Sequence, residues 1–411
     1  MLNWQEALRK NFTDASAYSK KLEQWDDSVT DAVQLSRLAA VWDDCVQDVP
    51  YYEDLVRQGR APAKIRTWAD FHSIPYLTRA ILQEQSARFL RKSGSPDGVG
   101  MTGGSTGTPV RFGVWHEEAA VLRMLKLVLW LRMGYQMGSR LFIIWGHSHL
   151  LGHGWRRGWN HLIRKIKDYF LGYHRVDAYS LWPEKCVQMA ERLLKVRPCG
   201  LIGYASALDY FVRCCDRYHE RFSELGLRFV MPAAEPPPRS DSFDLLRAVF
   251  RCPVVQEFGG VDFGQVGMKV DNAPFEVFPD YNVLETAAEG ASSQGPQPAA
   301  VTTLYRRYTP LVRYKQGDLI DGVTRLEHGQ VRSFQQLVGR SNDMVELSSG
   351  RQIHSVAFLH CVHQEPTVLN AQLVVTDAEL TLRLVTLAAF RDRSKPGFAT
   401  GFSKWLQSWR R

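Results

Sequence analysis

Cysteine is scarce and unpatterned in this chain: seven residues, at positions 45, 186, 199, 214, 215, 252 and 361, with no C-x-x-C pair. That argues against a disulfide framework and against the usual thiolate zinc motifs, and it fits free thiols in a reducing compartment. No uncharged apolar run approaches membrane-spanning length. The opening Met1-Leu2-Asn3-Trp4-Gln5-Glu6 lacks the basic-then-apolar order of a secretory signal, so a cytoplasmic protein is expected. There is no internal repeat and no dense basic block. The 51 basic and 43 acidic residues leave a net charge of +8, which suits an anionic small-molecule substrate, and no nucleic-acid partner is expected. The nearest basic cluster runs from Arg156-Arg157 to Arg164-Lys165 and Lys167, among Trp155, Trp159 and Ile166. It reads either as a solvated helix face or as an anion- or membrane-facing patch.

What is present is the material for a large core. The chain has 411 residues, 45% of them hydrophobic, which is enough for two or three structural units. Twelve Trp, fifteen Tyr and twenty Phe supply either that core or an aromatic-lined pocket. Residues 1–95 read as helices broken by turns, with Leu35, Leu38, Ala39 and Trp42 at helical spacing and Thr67 placed to cap a short helix. A helix is expected over 117–133. Buried strands are expected at 141–145, 201–204 and 229–231, with helices at 184–196 and 207–224 between them. After residue 253 the pattern turns to strands, at 253–257, 266–270, 275–278, 283–285, 300–304 and 311–314, with a Gly/Pro/Ser-rich loop at 290–298. Beyond Gly339 a small α+β unit is expected: a strand at 344–347, a helix at 355–363, and strands at 371–376 and 380–386.

Residues 102–109, Thr102-Gly103-Gly104-Ser105-Thr106-Gly107-Thr108-Pro109, pack three glycines and four hydroxyl side chains into eight positions. Glycine lets main-chain N–H groups approach a ligand, and rotatable hydroxyls suit phosphate oxygens. The run is neither a Walker loop nor the dinucleotide fingerprint, and alone it could be a surface turn. Three further stretches follow in order: Glu257-Phe258-Gly259-Gly260-Val261-Asp262-Phe263-Gly264, Arg313-Tyr314-Lys315-Gln316-Gly317-Asp318 at the close of a strand, and Gly339-Arg340-Ser341-Asn342-Asp343-Met344.

This ordered set resembles the adenylate-forming superfamily. Within it the chain is most similar to the phenylacetate–CoA ligase branch and its relatives in capsular polysaccharide biosynthesis, with a layout similar to indoleacetate–lysine ligase. Val49-Pro50-Tyr51-Tyr52, Ile202-Gly203-Tyr204-Ala205-Ser206 and Ala234-Glu235-Pro236 support that branch. The resemblance implies an α/β fold. A large N-terminal domain, residues 1–339, would bind ATP and carboxylate and include a β-rich subdomain; a small, shortened α+β C-terminal domain, residues 340–411, would be mobile. It implies AMP transfer from ATP to an organic carboxylate, aryl or bulky, with release of pyrophosphate, and then acyl transfer to an amine or CoA. A member that binds nucleotide or acyl-adenylate without ligation is the alternative.

The same resemblance assigns residues. Thr102, Ser105, Thr106, Gly107 and Thr108 would wrap the ATP phosphates. Thr108 stands where many relatives have Lys, leaving Arg111 or Mg²⁺ to supply that charge. Asp262 would hold Mg²⁺, in a motif where relatives have Glu and where Phe258 replaces Tyr. Phe258 and Gly259 would flank the nucleotide, with Glu235 near it, and Gly260 would border the carboxylate pocket with His147 and Tyr204. His147, His149 and His153 form a glycine-flanked loop in which a metal site or an acid–base role stays open. Asp318 would accept hydrogen bonds from both ribose hydroxyls, and Arg340 would reach ribose or phosphate. Asn342 stands at the usual hinge aspartate. Of the late lysines, Lys395 rather than Lys404 would be catalytic. The partners are small molecules; monomer and homodimer both stay open.

Overall fold

The computed structural model describes residues 2–101, 111–146, 154–178, 181, 183–287, 295–340, 344–346, 352–354, 368–375 and 380–386. In chain order it begins with α1 (Leu2–Glu23), α2 (Asp27–Asp48), α3 (Pro50–Arg57), α4 (Trp68–Ser73), β1 (Leu77–Thr78), α5 (Arg79–Glu84), β2 (Gly98–Met101), β3 (Arg111–Val114) and α6 (His116–Arg132). An alternating section follows: β4 (Leu141–Ile144), α7 (Gly154–Leu171), β5 (Tyr173–Val176), α8 (Pro183–Val196), β6 (Gly200–Tyr204), α9 (Ala205–Cys214), α10 (His219–Ser223), β7 (Phe229–Ala233) and α11 (Ser242–Phe250). Strands then dominate: β8 (Val255–Gly260), β9 (Gly264–Val270), β10 (Phe275–Val277), β11 (Asn282–Thr286), β12 (Gln297–Thr303), β13 (Tyr314–Asp321), β14 (Thr324–Arg325), β15 (Val331–Phe334) and β16 (Gln336–Arg340). The last described strands are β17 (Met344–Glu346), β18 (Gln352–His354), β19 (Val368–Val375) and β20 (Leu380–Thr386).

These elements group into two compact units. The first comprises Met1–Ser139 with Val255–Val338, the second Arg140–Val254 with Gly339–Arg411. The first unit holds two five-stranded sheets. One is ordered β1-β13-β12-β11 with β16 also on β13, the other β14-β15-β10-β9-β8; β2 and β3 form a separate hairpin. Their shared core is aromatic-rich, with Trp42, Tyr52, Phe71, Phe89, Phe258 and Phe334 all essentially inaccessible. Thr67 caps α4 as expected: its hydroxyl accepts from the Asp70 amide while the Asp70 carboxylate accepts from the Thr67 amide. Pro50 opens α3 at its first turn, where a missing N–H costs nothing.

The second unit is built on a parallel sheet ordered β5-β4-β6-β7. β4 is buried at every position, which is why Leu141-Phe142-Ile143-Ile144 is a continuous apolar run rather than an alternating one. α8 and α9 turn Leu193, Leu208, Phe211 and Val212 onto an apolar core. Beyond Gly339, β17 pairs with β18 and β19 with β20, each antiparallel; the expected helix at 355–363 lies outside the described residues.

Three expectations at the level of elements are corrected. The helix expected over 207–224 is α9 and α10 separated by a 3₁₀ turn. There the Asp216 carboxylate accepts from the Arg217 amide at 2.7 Å, a local bond that competes with the helical ladder. The strand expected at 311–314 instead starts at Tyr314, because Arg313 adopts φ of +51°, and the motif Arg313-Tyr314-Lys315 opens β13 rather than closing a strand. The loop expected over 290–298 gives up Gln297 and Pro298 to β12, where Gln297 faces Ile320 and Pro298 faces Leu319.

Candidate active site

In the first unit two of the motif-bearing stretches, 257–264 and 313–318, meet through Asp262 and Tyr314, and the strands that flank a third are anchored close by in sequence at Thr309. The hydroxyl- and glycine-rich run joins β2 to β3, which are paired in antiparallel register from Gly98↔Val114 to Met101↔Arg111. Residues 102–110 themselves, and with them Thr102, Ser105, Thr106, Gly107 and Thr108, lie outside the described residues. The base of the hairpin is held firmly. The Gly113 amide donates to the Thr309 hydroxyl at 3.1 Å, and that hydroxyl lies 3.3 Å from the Gly113 carbonyl. A side chain at Gly113 would collide with the Tyr308 ring at 2.2 Å. Glu118, buried on the first turn of α6, accepts from the Tyr308 and Arg307 amides through one oxygen and from the Trp115 amide through the other. One carboxylate therefore caps a helix and fixes the segment leading into β13.

Arg306 completes this junction. It is 1% exposed. Its guanidinium lies 4.9 Å from the Phe112 ring centroid on β3, and its Nη2 donates to the Val261 carbonyl at 3.1 Å. Nε and Nη1 have no hydrogen-bond partner among the described residues. Sequence reasoning looked to Arg111 for a cation here and passed over Arg306, which lies between quoted motifs rather than inside one. The sequence carries no signal for it, since Arg306 stands next to Arg307 and the pair reads as two surface arginines in a connection between strands.

The second motif is the tight connection from β8 to β9. Gly260 pairs with Gly264, and the register slips between Phe258 and Gly259. A Cβ on Gly259 would sit 2.5 Å from the Gly264 carbonyl oxygen, and one on Gly260 would sit 2.3 Å from the Phe263 ring, so both glycines are required by the turn itself. Phe258 is core, 1% exposed and edge-on to Phe334 with centroids 5.4 Å apart; only its main chain is left for a ligand. Asp262 at the turn is 6% exposed, and its Oδ2 accepts from the Tyr314 hydroxyl at 2.9 Å. Burial first, and then the Asp262 charge, push the Tyr314 phenol well above its ordinary pKa, so it stays protonated and donates. Asp262 stands apart from the one trio of metal-type donors among the described residues, Asp31, Glu327 and His328, two of which are exposed.

Asp318 lies on the same strand as Tyr314, and its charge adds to the upward shift of that phenol. Its position has a local cause. Ala300 faces Lys315 and Pro298 faces Leu319, so Gln316, Gly317 and Asp318 oppose the single residue Ala299. Such a bulge turns side chains out of the alternating pattern, and Gly317, at φ +98°, supplies the backbone conformation it needs. Arg313 just upstream is wholly structural. It pairs with Glu285 at 3.0 and 3.2 Å, donates to the Ile74 and His72 carbonyls, and lies 4.0 Å from the Tyr76 ring centroid.

The second unit gathers other motif residues at the carboxyl ends of its parallel strands, the edge where α/β sheets place ligands. Tyr204 ends β6, and its ring stacks on Trp145, just beyond β4, at 4.3 Å. Glu235 follows β7 after Ala234, which adopts φ of +69°. Its Oε1 accepts from the Ser206 amide at 2.7 Å and from the Ser206 hydroxyl, so this carboxylate caps the start of α9. Trp145 was not singled out in the sequence because a terminal aromatic on a buried strand reads as core. His147 and Lys395 lie outside the described residues; Arg340 is the last residue of β16, its side chain likewise outside.

No family model matches the chain. It is similar to the protein CapK of Staphylococcus aureus, 20% identical over 365 residues that cover 84% of this chain and 75% of that protein. Among solved structures it is similar to 2-hydroxyisobutyryl-CoA ligase in the postadenylation state with 2-HIB-AMP, with a TM-score of 0.67, 17% identity, and 90% of this chain and 81% of that one covered. It is also similar to the same ligase with 2-HIB-AMP and CoA in the thioesterification state, with a TM-score of 0.63, 18% identity, and 92% and 83% covered. The chain thus has the fold of the adenylate-forming ligases.

Proposed function

We propose that this protein is an ATP-dependent adenylate-forming acid ligase. It joins AMP to an organic carboxylate, releases pyrophosphate, and passes the acyl group to an amine or to CoA. The observation that carries the reading is that β13 bears both Tyr314, hydrogen-bonded to the buried Asp262 of the β8–β9 turn, and Asp318 in its bulge, on a fold shared with a ligase solved with an acyl-AMP. A carboxylate is a poor electrophile because its charge is delocalised. Attack of its oxygen on the α-phosphorus, with loss of the bond to the bridging oxygen of pyrophosphate, turns it into a mixed anhydride. The protein's task is to align the two anions and offset their charge.

In this reading Asp318 accepts from the two ribose hydroxyls. Thr102, Ser105, Thr106, Gly107 and Thr108 line the phosphates from the hairpin that Thr309 and Glu118 anchor. The main chain at Phe258, Gly259 and Gly260 borders nucleotide and carboxylate. Tyr204 and His147 contribute to the acyl pocket, Glu235 orders the α9 end near it, and Arg340 and Lys395 act from the terminal segment, residues 340–411, as a small mobile domain after a body of residues 1–339. Asp262 suits Mg²⁺: Tyr314 engages one of its oxygens, and a single carboxylate with phosphate oxygens and water is a common magnesium setting. Bound there, the ion would neutralise phosphate charge.

Pyrophosphate release over a panel of aryl and aliphatic carboxylates, with Mg-ATP and with amines or CoA added, tests the reading. Release with at least one acid is expected. Asp318→Ala should raise the KM for ATP about 10- to 100-fold, the value of charge-assisted hydrogen bonds. ATP binding without release by any acid would favour a nucleotide-binding, non-ligating protein. No ATP binding at all would end both readings.

A further inference from the structure

Helix α7 is amphipathic the wrong way round. Eleven large hydrophobic side chains are exposed among the described residues, and six of them, Trp159, Leu162, Ile163, Ile166, Tyr169 and Phe170, lie on this one helix. Tyr169 is 83% exposed and Trp159 59%. At 3.6 residues per turn these six fall within an arc of about 120°. Lys165 flanks one edge of that arc and Lys167 the other, both exposed. The opposite face carries Arg164, Asp168 and Leu171, all half-buried. There the Asp168 carboxylate accepts from Arg175 of β5 at 2.9 and 3.0 Å. Among the described side chains the helix therefore meets its own unit through Arg164, Asp168 and Leu171 and presents its apolar stripe outward, the reverse of an ordinary surface helix.

An exposed stripe of this size calls for something to cover it, and the charge says what. The helix sequence carries Arg156, Arg157, Arg164, Lys165 and Lys167 against Asp168 alone, within a chain of net charge +8. A second copy docked through the same face would bring two basic rims together. An anionic lipid surface is complementary to the rims and apolar beneath its headgroups, and Trp159 and Tyr169 are residue types that favour that boundary. No helix among the described residues is long and apolar enough to cross a membrane. We propose that α7 lies in the plane of an anionic bilayer surface, its apolar arc among the acyl chains and Lys165 and Lys167 at the headgroups. The proposal is independent of the ligase reading.

The full chain should float with phosphatidylcholine vesicles containing about 30% phosphatidylglycerol, and bind vesicles of phosphatidylcholine alone about tenfold more weakly. Raising the salt to about 0.5 M should release it. Ile166→Ser with Phe170→Ser, and separately Lys165→Glu with Lys167→Glu, should each weaken flotation about tenfold or more. Met137→Ser, at an exposed apolar residue elsewhere, should change nothing. All these positions face solvent, so the thermal transition should be retained. Absence of flotation by the parent protein overturns the proposal. So does equal flotation of parent and Ile166→Ser/Phe170→Ser, or a dimer in sedimentation that this variant dissolves while vesicles are ignored.

Discussion

The two units bury different kinds of residue. Of the twenty buried polar or charged residues among those described, only Asp209 and Ser242 belong to the second unit. Its core is Phe142, Leu193, Leu201, Phe211, Phe222 and their neighbours, an apolar filling between a parallel sheet and its helices. The first unit has an aromatic core as well, but it threads Glu118, Asp262, Glu285, Arg306 and Arg313 through it. Burying charge is costly unless it is paired. Four of these five have ion-pair or multiple partners, or a directed hydroxyl, whereas Arg306 has one carbonyl and a ring. The lesson is that the first unit's polar connections determine where its loops and turns stand, while the second unit is a packed scaffold whose motif residues sit at its rim.

The largest effects should separate the two modes of burial. Arg313→Met strands Glu285, which is 5% exposed in its side chain, and should cost about 3–5 kcal/mol. Burial already raises the Glu285 pKa, with Arg313 opposing that rise, so the unpaired carboxylate would be worse placed still. Adding Glu285→Gln should return part of the loss, since the amide leaves no buried charge. In the second unit Phe211→Ala should cost a similar amount, about 3–5 kcal/mol, by opening a cavity, and no charge-neutralising second change should help it. Urea unfolding of these three variants, and of Phe211→Ala combined with Glu285→Gln, reads this. Equal rescue in both units, or none in the first, would break the comparison.

How much of this was legible in the sequence follows the same division. The second unit's buried strands could be read directly, as a run such as Leu141-Phe142-Ile143-Ile144, and helix periodicity marks α8, while the edge strand β5 and the helix α11 were not read. In the first unit the strands β8 to β12 were legible but their edges were not, and β14 to β16 were not expected. Arg313 ends one stretch by a left-handed conformation that no pattern of hydrophobicity signals, and the bulge that displaces Asp318 depends on the partner strand β12. Asp262 and Asp318 were picked out by family resemblance. Tyr314, whose hydroxyl donates to Asp262, was quoted only as part of a motif, because an aromatic at the start of a strand is indistinguishable from core until its hydroxyl partner is seen. The basic stretch in α7 was legible as charge, but the direction of its apolar face was not.

A smaller effect probes the polar network where the site is proposed. Tyr314→Phe keeps the ring and removes only the hydroxyl that Asp262 accepts from, so it should cost about 1–3 kcal/mol for a buried acceptor left short of its donor. Tyr314 is fully buried and its pKa is driven up by burial and then by Asp262; the parent bond should therefore survive into alkaline conditions where an exposed tyrosine ionises. If the first unit's stability rests on such directed bonds, urea unfolding of Tyr314→Phe will show a lowered midpoint. An unchanged midpoint would mean that packing alone holds the β8–β9 turn.

The smallest effect comes from the half-exposed end of the same network, where the sign of the pH dependence can be worked out. Asp44 receives Arg91 at 2.7 and 2.9 Å and Arg307 at 3.2 Å. The hydrogen bond from Arg91, more than any other influence, holds its carboxyl below the usual range. A folded-state pKa below the unfolded value of about 3.9 means that the unfolded chain takes up protons first as pH falls. The stabilisation is then fully present above that value and drains away as pH drops through the folded pKa. Asp44→Asn should therefore cost about 1 kcal/mol at neutral pH, kept small by water reaching a side chain that is 31% exposed. Its deficit relative to the parent should close below about pH 4. A deficit that persists in acid would show that the clamp between Asp44, Arg91 and Arg307 works by shape rather than charge, and would bring this corner of the first unit closer to the packed logic of the second.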